Sequence, residues 1–224
     1  RLLGRMKTKI IIVIPAYNEH KFLSPLIKNI RKFTKLPIVV VDDGSQVPLK
    51  ASNCHLLRHK INLGKGAAMI TGADYAFNKL GATHIIFMDG DGQHDPRHLP
   101  DFIDHINQGF DLVFGSRGQS RGVPMIRYLG NKFASVYINQ LFGVYVSDIL
   151  SGFRSLSKQA YHLLKWDSIR YGVETEMVAR LGKHKSKLKF AEIPISTIYI
   201  DKYKGVSILD AVKILANSIW WKLY

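Results

Sequence analysis

The sequence contains a single cysteine, Cys54, among its 224 residues. One thiol excludes an intrachain disulfide, so burial of apolar side chains has to stabilise the fold, and a reducing compartment is expected. Because 46% of the residues are hydrophobic, the chain is long enough for one large α/β domain with an extensive core. No apolar run reaches the roughly 18 residues of a membrane-crossing helix, so we expect any membrane attachment to be peripheral.

Acidic residues are scarce, with 17 Asp and Glu against 32 Lys and Arg, which gives a net charge of +15. This excess of positive charge predicts an anionic partner: nucleic acid, an acidic membrane surface or a phosphorylated substrate. The sequence lacks helix-turn-helix, zinc-finger and RNP signatures, so we expect no nucleic-acid partner. It also lacks a P-loop and a G-x-G-x-x-G motif after a strand, which argues against a P-loop nucleotide-binding site and against a nicotinamide or flavin enzyme.

Several apolar runs end at polar residues. Three of the runs predict buried strands of a parallel sheet: residues 9–14, 37–41 and 83–88. Asp42 and Asp43 follow the second run, and Asp89 and Asp91 follow the third. Ligands of open α/β sheets bind beyond the carboxyl ends of the strands, so these acids predict a binding site there.

Asp89 and Asp91 are the strongest of these candidates. Residues i and i+2 of an extended segment point the same way, so both carboxylates can converge on one site. Hard oxygen donors suit Mg²⁺ or Mn²⁺, and Mg²⁺ is typically held by one or two carboxylates together with substrate phosphates. The alternative is a solvated Asp/Gly-rich turn. His94, close by, is either a metal ligand or a residue that packs the loop.

Other segments offer further polar groups. The turn 15–19 joins the first strand to a predicted helix 22–33, with Asn18 as its expected N-cap. Lys65, in the glycine-rich segment 62–68, predicts a phosphate-side loop at the start of a helix that extends to about residue 80. The arginines 117, 121 and 127 suit bidentate phosphate binding or form a solvated basic loop. Residues 148–154 could form a second polar wall, and Glu174 either faces the cleft or complements a helix dipole.

The C-terminal residues 206–224 are amphipathic. Trp220 and Trp221 lie beside Lys222, a combination that suits a membrane interface. Packing on the domain or on a partner is the alternative. Because no linker interrupts the chain, we predict one catalytic domain, 7–205, followed by an amphipathic helix, 206–224.

Six motifs in this order resemble those of the inverting family-two glycosyltransferases with the GT-A fold, and especially the polyprenyl- and dolichyl-phosphate mannose or glucose synthases. The motifs are Pro15-Ala16-Tyr17-Asn18-Glu19, Asp42-Asp43-Gly44-Ser45, Asn62-x-Gly64-Lys65-Gly66, Asp89-Gly90-Asp91-Gly92-Gln93-His94-x-Pro96, Gly115-Ser116-Arg117 and Asp148-x-x-Ser151-Gly152-Phe153-Arg154. The resemblance implies a Rossmann-like, mostly parallel sheet flanked by helices. One departure is the segment 202–208, Lys-Tyr-Lys-Gly-Val-Ser-Ile, where the family often has Arg-x-x-Gly-x-Ser-Lys.

The resemblance also implies a role for each matching residue. The nucleotide-sugar donor would be bound by Pro15, Tyr17, Glu19, Asp42, Lys65 and Asp89. The Mg²⁺ or Mn²⁺ ion would be held by Asp89, Asp91 and Gln93. The acceptor phosphate would be bound by Arg117, Arg127, Ser151 and Arg154, and by Lys202 at the position where the family often has Arg. The catalytic residues would be Asp91, Arg117 and Asp148.

The chemistry of the acceptor decides whether a general base is needed. A phosphate monoester with a second pKa of about 6 is mostly dianionic at neutral pH and attacks unaided, whereas a sugar hydroxyl has to lose a proton. Asp148 is therefore expected to be either a base or an organiser of the acceptor. We predict a metal-dependent hexosyltransferase that uses GDP-mannose or UDP-glucose and a polyprenyl (dolichyl-type) phosphate. Its expected location is peripheral, at the cytoplasmic face of a membrane, or cytoplasmic. The alternative is transfer to a saccharide hydroxyl in polysaccharide or cell-envelope synthesis.

Overall fold

The computed structural model describes residues 8–118, 125–170, 172–198 and 217–222. Seven strands form a single sheet: β1 (Ile10–Ala16), β2 (Ile38–Asp42), β3 (His55–Arg58), β4 (His84–Phe87), β5 (Leu112–Arg117), β6 (Arg154–Ser157) and β7 (Phe190–Ile195). Among the described residues up to 198, six α-helices flank it: α1 (Leu23–Ile30), α2 (Lys65–Asp74), α3 (Leu99–Asn107), α4 (Met125–Phe142), α5 (Lys158–Leu164) and α6 (Val173–His184).

The strand order is β3-β2-β1-β4-β6-β5-β7. β6 is antiparallel to both of its neighbours, whereas the other pairings are parallel. The carboxyl ends of β1, β2 and β4 consequently meet at one edge of the sheet, where the sequence places its acidic motifs. The predicted α/β fold with a mostly parallel sheet is confirmed.

Alternate residues of the central strands supply two apolar cores. Ile11 and Val13 of β1 contribute to the core shared with α2, α4, α5 and α6, while Ile12 and Ile14 contribute to the core shared with α1 and α3. This arrangement explains the continuous β-branched runs, because each of these strands is covered on both faces.

The structure corrects three details of the predicted elements. Asn18 does not cap α1, which begins four residues after Glu19; instead, the Asn18 side chain accepts a hydrogen bond from the Gln46 amide. β1 continues through Pro15 to Ala16 instead of ending before the proline. The helix predicted up to residue 80 is α-helical only to Asp74 and then widens into a π-helical turn, Tyr75–Lys79.

Only part of the predicted C-terminal helix can be compared, because residues 199–216 lie outside the described residues. Residues 217–222 are helical and pack on α4, where the Ser218 hydroxyl donates to Tyr137 Oη at 3.1 Å and Trp221 is buried. Within the described residues, no helix combines the length and the apolarity that crossing a bilayer requires.

Candidate active site

Asp89 and Asp91 occupy the loop directly after β4. The Asp89 amide donates to His94 Nδ1 at 3.0 Å, and the Asp91 carboxylate accepts from the Gln93 amide at 3.0 Å. The Gly90 amide donates to the Pro15 carbonyl at 3.3 Å and joins this loop to the end of β1. The two carboxylates are therefore fixed to the sheet edge through their backbones.

The Lys65 ammonium lies between two carboxylates. Its Nζ is 2.7 Å from Asp89 Oδ1 and 2.7 Å from Glu174 Oε1. Burial opposes both charges of the Lys65–Asp89 pair, but the Coulomb attraction outweighs it: the pKa of Asp89 falls to about 2 and the pKa of Lys65 rises above its ordinary value. Both groups are accordingly charged at neutral pH.

Asp91 differs electrostatically from its neighbour. Burial and the nearby Asp89 charge raise the pKa of Asp91 to about 6. A cation bound next to Asp91 would offset the repulsion from Asp89 and favour the charged form of Asp91.

These residues fit a divalent ion that is bound partly by its substrate. No cluster of three His, Cys, Asp or Glu side chains suited to a metal occurs among the described residues, so an ion at Asp89 and Asp91 would need further donors, such as Gln93 or the substrate. This donor set matches Mg²⁺ sites in which substrate phosphates complete the coordination. Lys65 already shows that a cation is accommodated beside Asp89.

Gly152 forms a wall against the same carboxylate. A Cβ atom at this position would lie 2.7 Å from Asp89 Oδ2 and 2.8 Å from Lys65 Nζ. A side chain at this position would therefore have to displace the Asp89 carboxylate and the Lys65 ammonium.

His94 packs the loop. Its ring is buried and stacks on Phe153 with centroids 5.1 Å apart, and burial lowers the pKa of His94 to about 4. Because its Nδ1 accepts from the Asp89 amide, the imidazole holds the Asp89 loop in place.

Arg117 and Asp148 form a bidentate pair between the end of β5 and the segment after α4. Arg117 Nε and Nη2 donate to the carboxylate at 2.6 and 2.9 Å, and the Arg117 amide donates at 3.0 Å. Asn131 Nδ2 adds a fourth donor at 2.8 Å. Burial alone would raise the pKa of Asp148, but the hydrogen bonds and charge of Arg117 lower it.

The predicted donor-binding residues differ in their exposure and in their hydrogen-bond partners. The Tyr17 side chain is exposed, whereas Pro15 is buried, and the Glu19 carbonyl accepts from the amides at the start of α1. Asp42 is only 1% exposed, and its carboxylate accepts from the Ser45 and Leu49 amides and from Arg58. The structure therefore gives Asp42 the role of organising the loop after β2.

Two of the predicted acceptor residues, Arg154 and Ser151, are buried. Arg154 is fully buried and donates to the backbone carbonyls of Ile149, Ser151 and Glu174, so its guanidinium holds the polypeptide together and does not face an acceptor. Ser151 is also buried, with an unpartnered hydroxyl. Lys202 and the Arg127 side chain lie outside the described residues.

Three residues of the site were not singled out from the sequence. Asn131 holds Asp148, and Glu192 accepts from the Ser147 amide at 3.0 Å, next to that aspartate. The sequence carries no signal for these three residues, because only the tertiary fold brings them to Asp148.

Comparisons with known proteins agree with this geometry. The family model described as "Glycosyl transferase family 2" matches residues 11–164. The chain is 31% identical to the UDP-N-acetylglucosamine–dolichyl-phosphate N-acetylglucosaminyltransferase of Methanococcus voltae, with 96% of each chain covered. It is 28% identical to the polyprenol monophosphomannose synthase of Mycolicibacterium smegmatis, over 93% of this chain and 86% of the relative.

Among solved structures, the fold is similar to glucosyl-3-phosphoglycerate synthase from Mycobacterium tuberculosis, crystallised with Mn²⁺, uridine diphosphate and phosphoglyceric acid. The TM-score is 0.73 at 18% identity, over 96% of this chain and 79% of that one. This likeness concerns the fold and is consistent with the predicted GT-A architecture.

Proposed function

Because the chain belongs to glycosyl transferase family 2 and is a glycosyltransferase, we propose that it moves a hexose from a nucleotide-diphosphate sugar to a polyprenyl phosphate with inversion. The observation that carries this proposal is the state of Asp148. Its carboxylate accepts four N–H donors, three from Arg117 and one from Asn131. A carboxylate bound in this way, with a lowered pKa, is a poor proton acceptor.

A phosphate acceptor is compatible with such a site. A phosphate monoester is largely dianionic at neutral pH and needs no base, but it does need positive charge to offset its own. Arg117, oriented by Asp148, supplies a planar guanidinium suited to phosphate oxygens. We propose that Arg127, Ser151 and Lys202 complete this side of the site.

At the donor end, Asp89, Asp91 and Gln93 would hold Mg²⁺ or Mn²⁺. A bound divalent ion would neutralise the charge that accumulates on the leaving diphosphate. Lys65, at the N-terminus of α2, adds a positive charge and helix-terminal amides on the same side. Tyr17 would offer its exposed ring to the nucleotide, with Pro15, Glu19 and Asp42 forming and supporting the pocket around it.

The names of two relatives suggest the acceptor class. They are named for transfer to dolichyl phosphate and to polyprenol phosphate. One of these names specifies UDP-N-acetylglucosamine and the other mannose, so we include both sugars in the test of the donor.

A peripheral membrane location at the cytoplasmic face fits this acceptor. Leu129, Phe133 and Val136 are exposed on one face of α4, and Ile219 and Trp220 are exposed on the helical stretch packed beside it. Apolar and aromatic side chains within a strongly basic protein suit the surface of an anionic bilayer.

A transfer assay tests the proposal. The protein is incubated with GDP-mannose, UDP-glucose or UDP-N-acetylglucosamine, with Mn²⁺ or Mg²⁺, and with either a polyprenyl phosphate or an alkyl glycoside as acceptor. We expect sugar to appear on the polyprenyl phosphate with one of the donors and only when metal is present. Transfer to the alkyl glycoside alone would establish the saccharide-hydroxyl alternative instead.

A further inference from the structure

Lys65, Asp89 and Glu174 form an ion triad beside the proposed metal site. Its effect on cation binding rests on that proposed site. A single ammonium serves two carboxylates that belong to different elements, each at 2.7 Å. Lys65 begins α2, Asp89 follows β4, and Glu174 lies in the first turn of α6, beyond the residues that the family model matches.

The backbones of the two acids are held by hydrogen bonds, and their side chains are shorter than that of Lys65. The Asp89 amide is bound to His94, and the Glu174 carbonyl accepts from the buried Arg154 at 3.1 Å. Lys65 instead reaches both carboxylates through a flexible four-carbon stem. When the local charge changes, the ammonium is therefore the group that can move.

A divalent ion on Asp89 and the ammonium of Lys65 compete for the same oxygen atoms. Two cations cannot both lie against one carboxylate without strong repulsion, since the Coulomb energy at such separations is large in a partly buried site. Glu174 lowers the free-energy cost of replacing the ammonium with the divalent ion beside Asp89. Lys65 then loses its contact with Asp89 but keeps its contact with Glu174.

We propose that Lys65 is an internal counter-ion that takes the place of the divalent cation beside Asp89 in the ligand-free enzyme, and that Glu174 is the positioning residue that retains the ammonium when the metal enters. Retained in this way, the positive charge remains next to the metal, where the donor diphosphate would lie. Lys65 thus competes with the divalent ion and lowers the affinity of the protein for the free ion. Glu174 weakens this competition.

Binding of Mn²⁺ alone to the nucleotide-free protein tests this inference, measured by the loss of the free-ion signal in electron paramagnetic resonance. Lys65→Met removes the competitor, so we expect the Kd for Mn²⁺ to fall about tenfold. Lys79→Met is the matched control: it removes the same charge from an exposed position at the other end of the same helical segment, and it should leave the Kd within about twofold.

Glu174→Gln provides a second variant that leaves Lys65 in place. With Asp89 as its only partner, the ammonium competes harder, and the Kd for Mn²⁺ should rise about threefold. If the same substitution raised the Kd equally in a Lys65→Met background, Glu174 would act directly on the ion and its positioning role would be refuted.

The outcomes separate this inference from the proposed function. A Kd in Lys65→Met that is unchanged or higher overturns the counter-ion role, even when the wild-type protein binds Mn²⁺ and transfers sugar. Absence of Mn²⁺ binding by the wild-type protein, both alone and with nucleotide, would remove the proposed metal site itself and the inference with it.

Discussion

At the residue scale, Asp148 distinguishes the two acceptor chemistries. We expect Asp148→Asn to lower kcat by roughly tenfold, because the amide keeps part of the hydrogen bonding to Arg117 but loses the charge that orients it. Loss of a general base would instead lower the rate by about 10²–10⁴-fold.

The measurement is kcat at saturating donor and polyprenyl phosphate, across pH 6 to 9. Arg117→Lys serves as the companion variant, since it keeps the charge and removes the bidentate fork. A fall of kcat beyond a thousandfold in Asp148→Asn, with unaltered folding, would contradict a phosphate acceptor and favour a base-dependent reaction.

The same residues show what sequence reasoning can and cannot reach. The spacing of Asp89 and Asp91 predicted that they share a site, because residues i and i+2 of an extended chain share a face. The structure instead places both in the turn after β4, where the charge of Asp89 contributes to the raised pKa of Asp91. Arg154 could not be placed from its motif: an arginine beside a glycine and a serine suits phosphate, but here it is fully buried and satisfied by carbonyls. Whether a charge faces a cleft or a core depends on contacts distant in sequence.

At the element scale, the strands were the most predictable features. Continuous β-branched runs define β1 and β2 because both faces of these strands are buried. The antiparallel β6 was not foreseen, because its four residues carry neither an alternating pattern nor a turn that marks a reversal.

Packing of α2 on the segment after Trp166 explains the two glycines beside Lys65. A Cβ atom on Gly66 would lie 2.0 Å from the Ser168 carbonyl oxygen, and the Gly66 carbonyl accepts from the Trp166 indole at 3.0 Å. The glycines hence bring the start of α2 against the polypeptide that leads into α6, and this contact places Lys65 within reach of Glu174.

We expect Gly66→Ala to lower the free energy of unfolding by about 1–3 kcal/mol, because a backbone carbonyl cannot yield to the added methyl group as a side chain would. Urea unfolding followed by circular dichroism measures this change. Gly130→Ala is the control: this glycine of α4 has open space around its Cβ position, so the alanine should be neutral or stabilising. Equal stabilities of the two variants would show that the α2 contact is looser than described.

At the scale of the whole molecule, positive charge and exposed apolar groups occur together. The net charge is +15, and the exposed face formed by α4 and residues 217–222 carries Phe133 at 63% and Trp220 at 61% exposure. Asn131, which holds Asp148, belongs to the same helix as Phe133, although residues two apart in a helix lie on different sides of it. We propose that an acceptor lipid whose phosphate meets Arg117 runs along α4 to this face.

Sedimentation with vesicles tests this arrangement. We expect binding to vesicles that contain anionic phosphatidylserine, weak binding to neutral phosphatidylcholine, and a decline as salt rises, since each basic residue near the surface contributes about 1 kcal/mol within a Debye length. The double variant Phe133→Ser/Trp220→Ser should lose most of the binding, since two buried aromatic side chains supply a large part of an interfacial anchor.

Val47→Ser is the matched control, because Val47 is equally exposed at 62% but follows β2 in the other half of the sheet. Its binding should equal that of the wild type. Loss of binding in Val47→Ser as large as in the double variant would mean that general hydrophobicity, and not the α4 face, attaches the protein. Undiminished binding of the double variant would assign attachment to charge alone, and the polyprenyl chain would then have to approach Arg117 by another route.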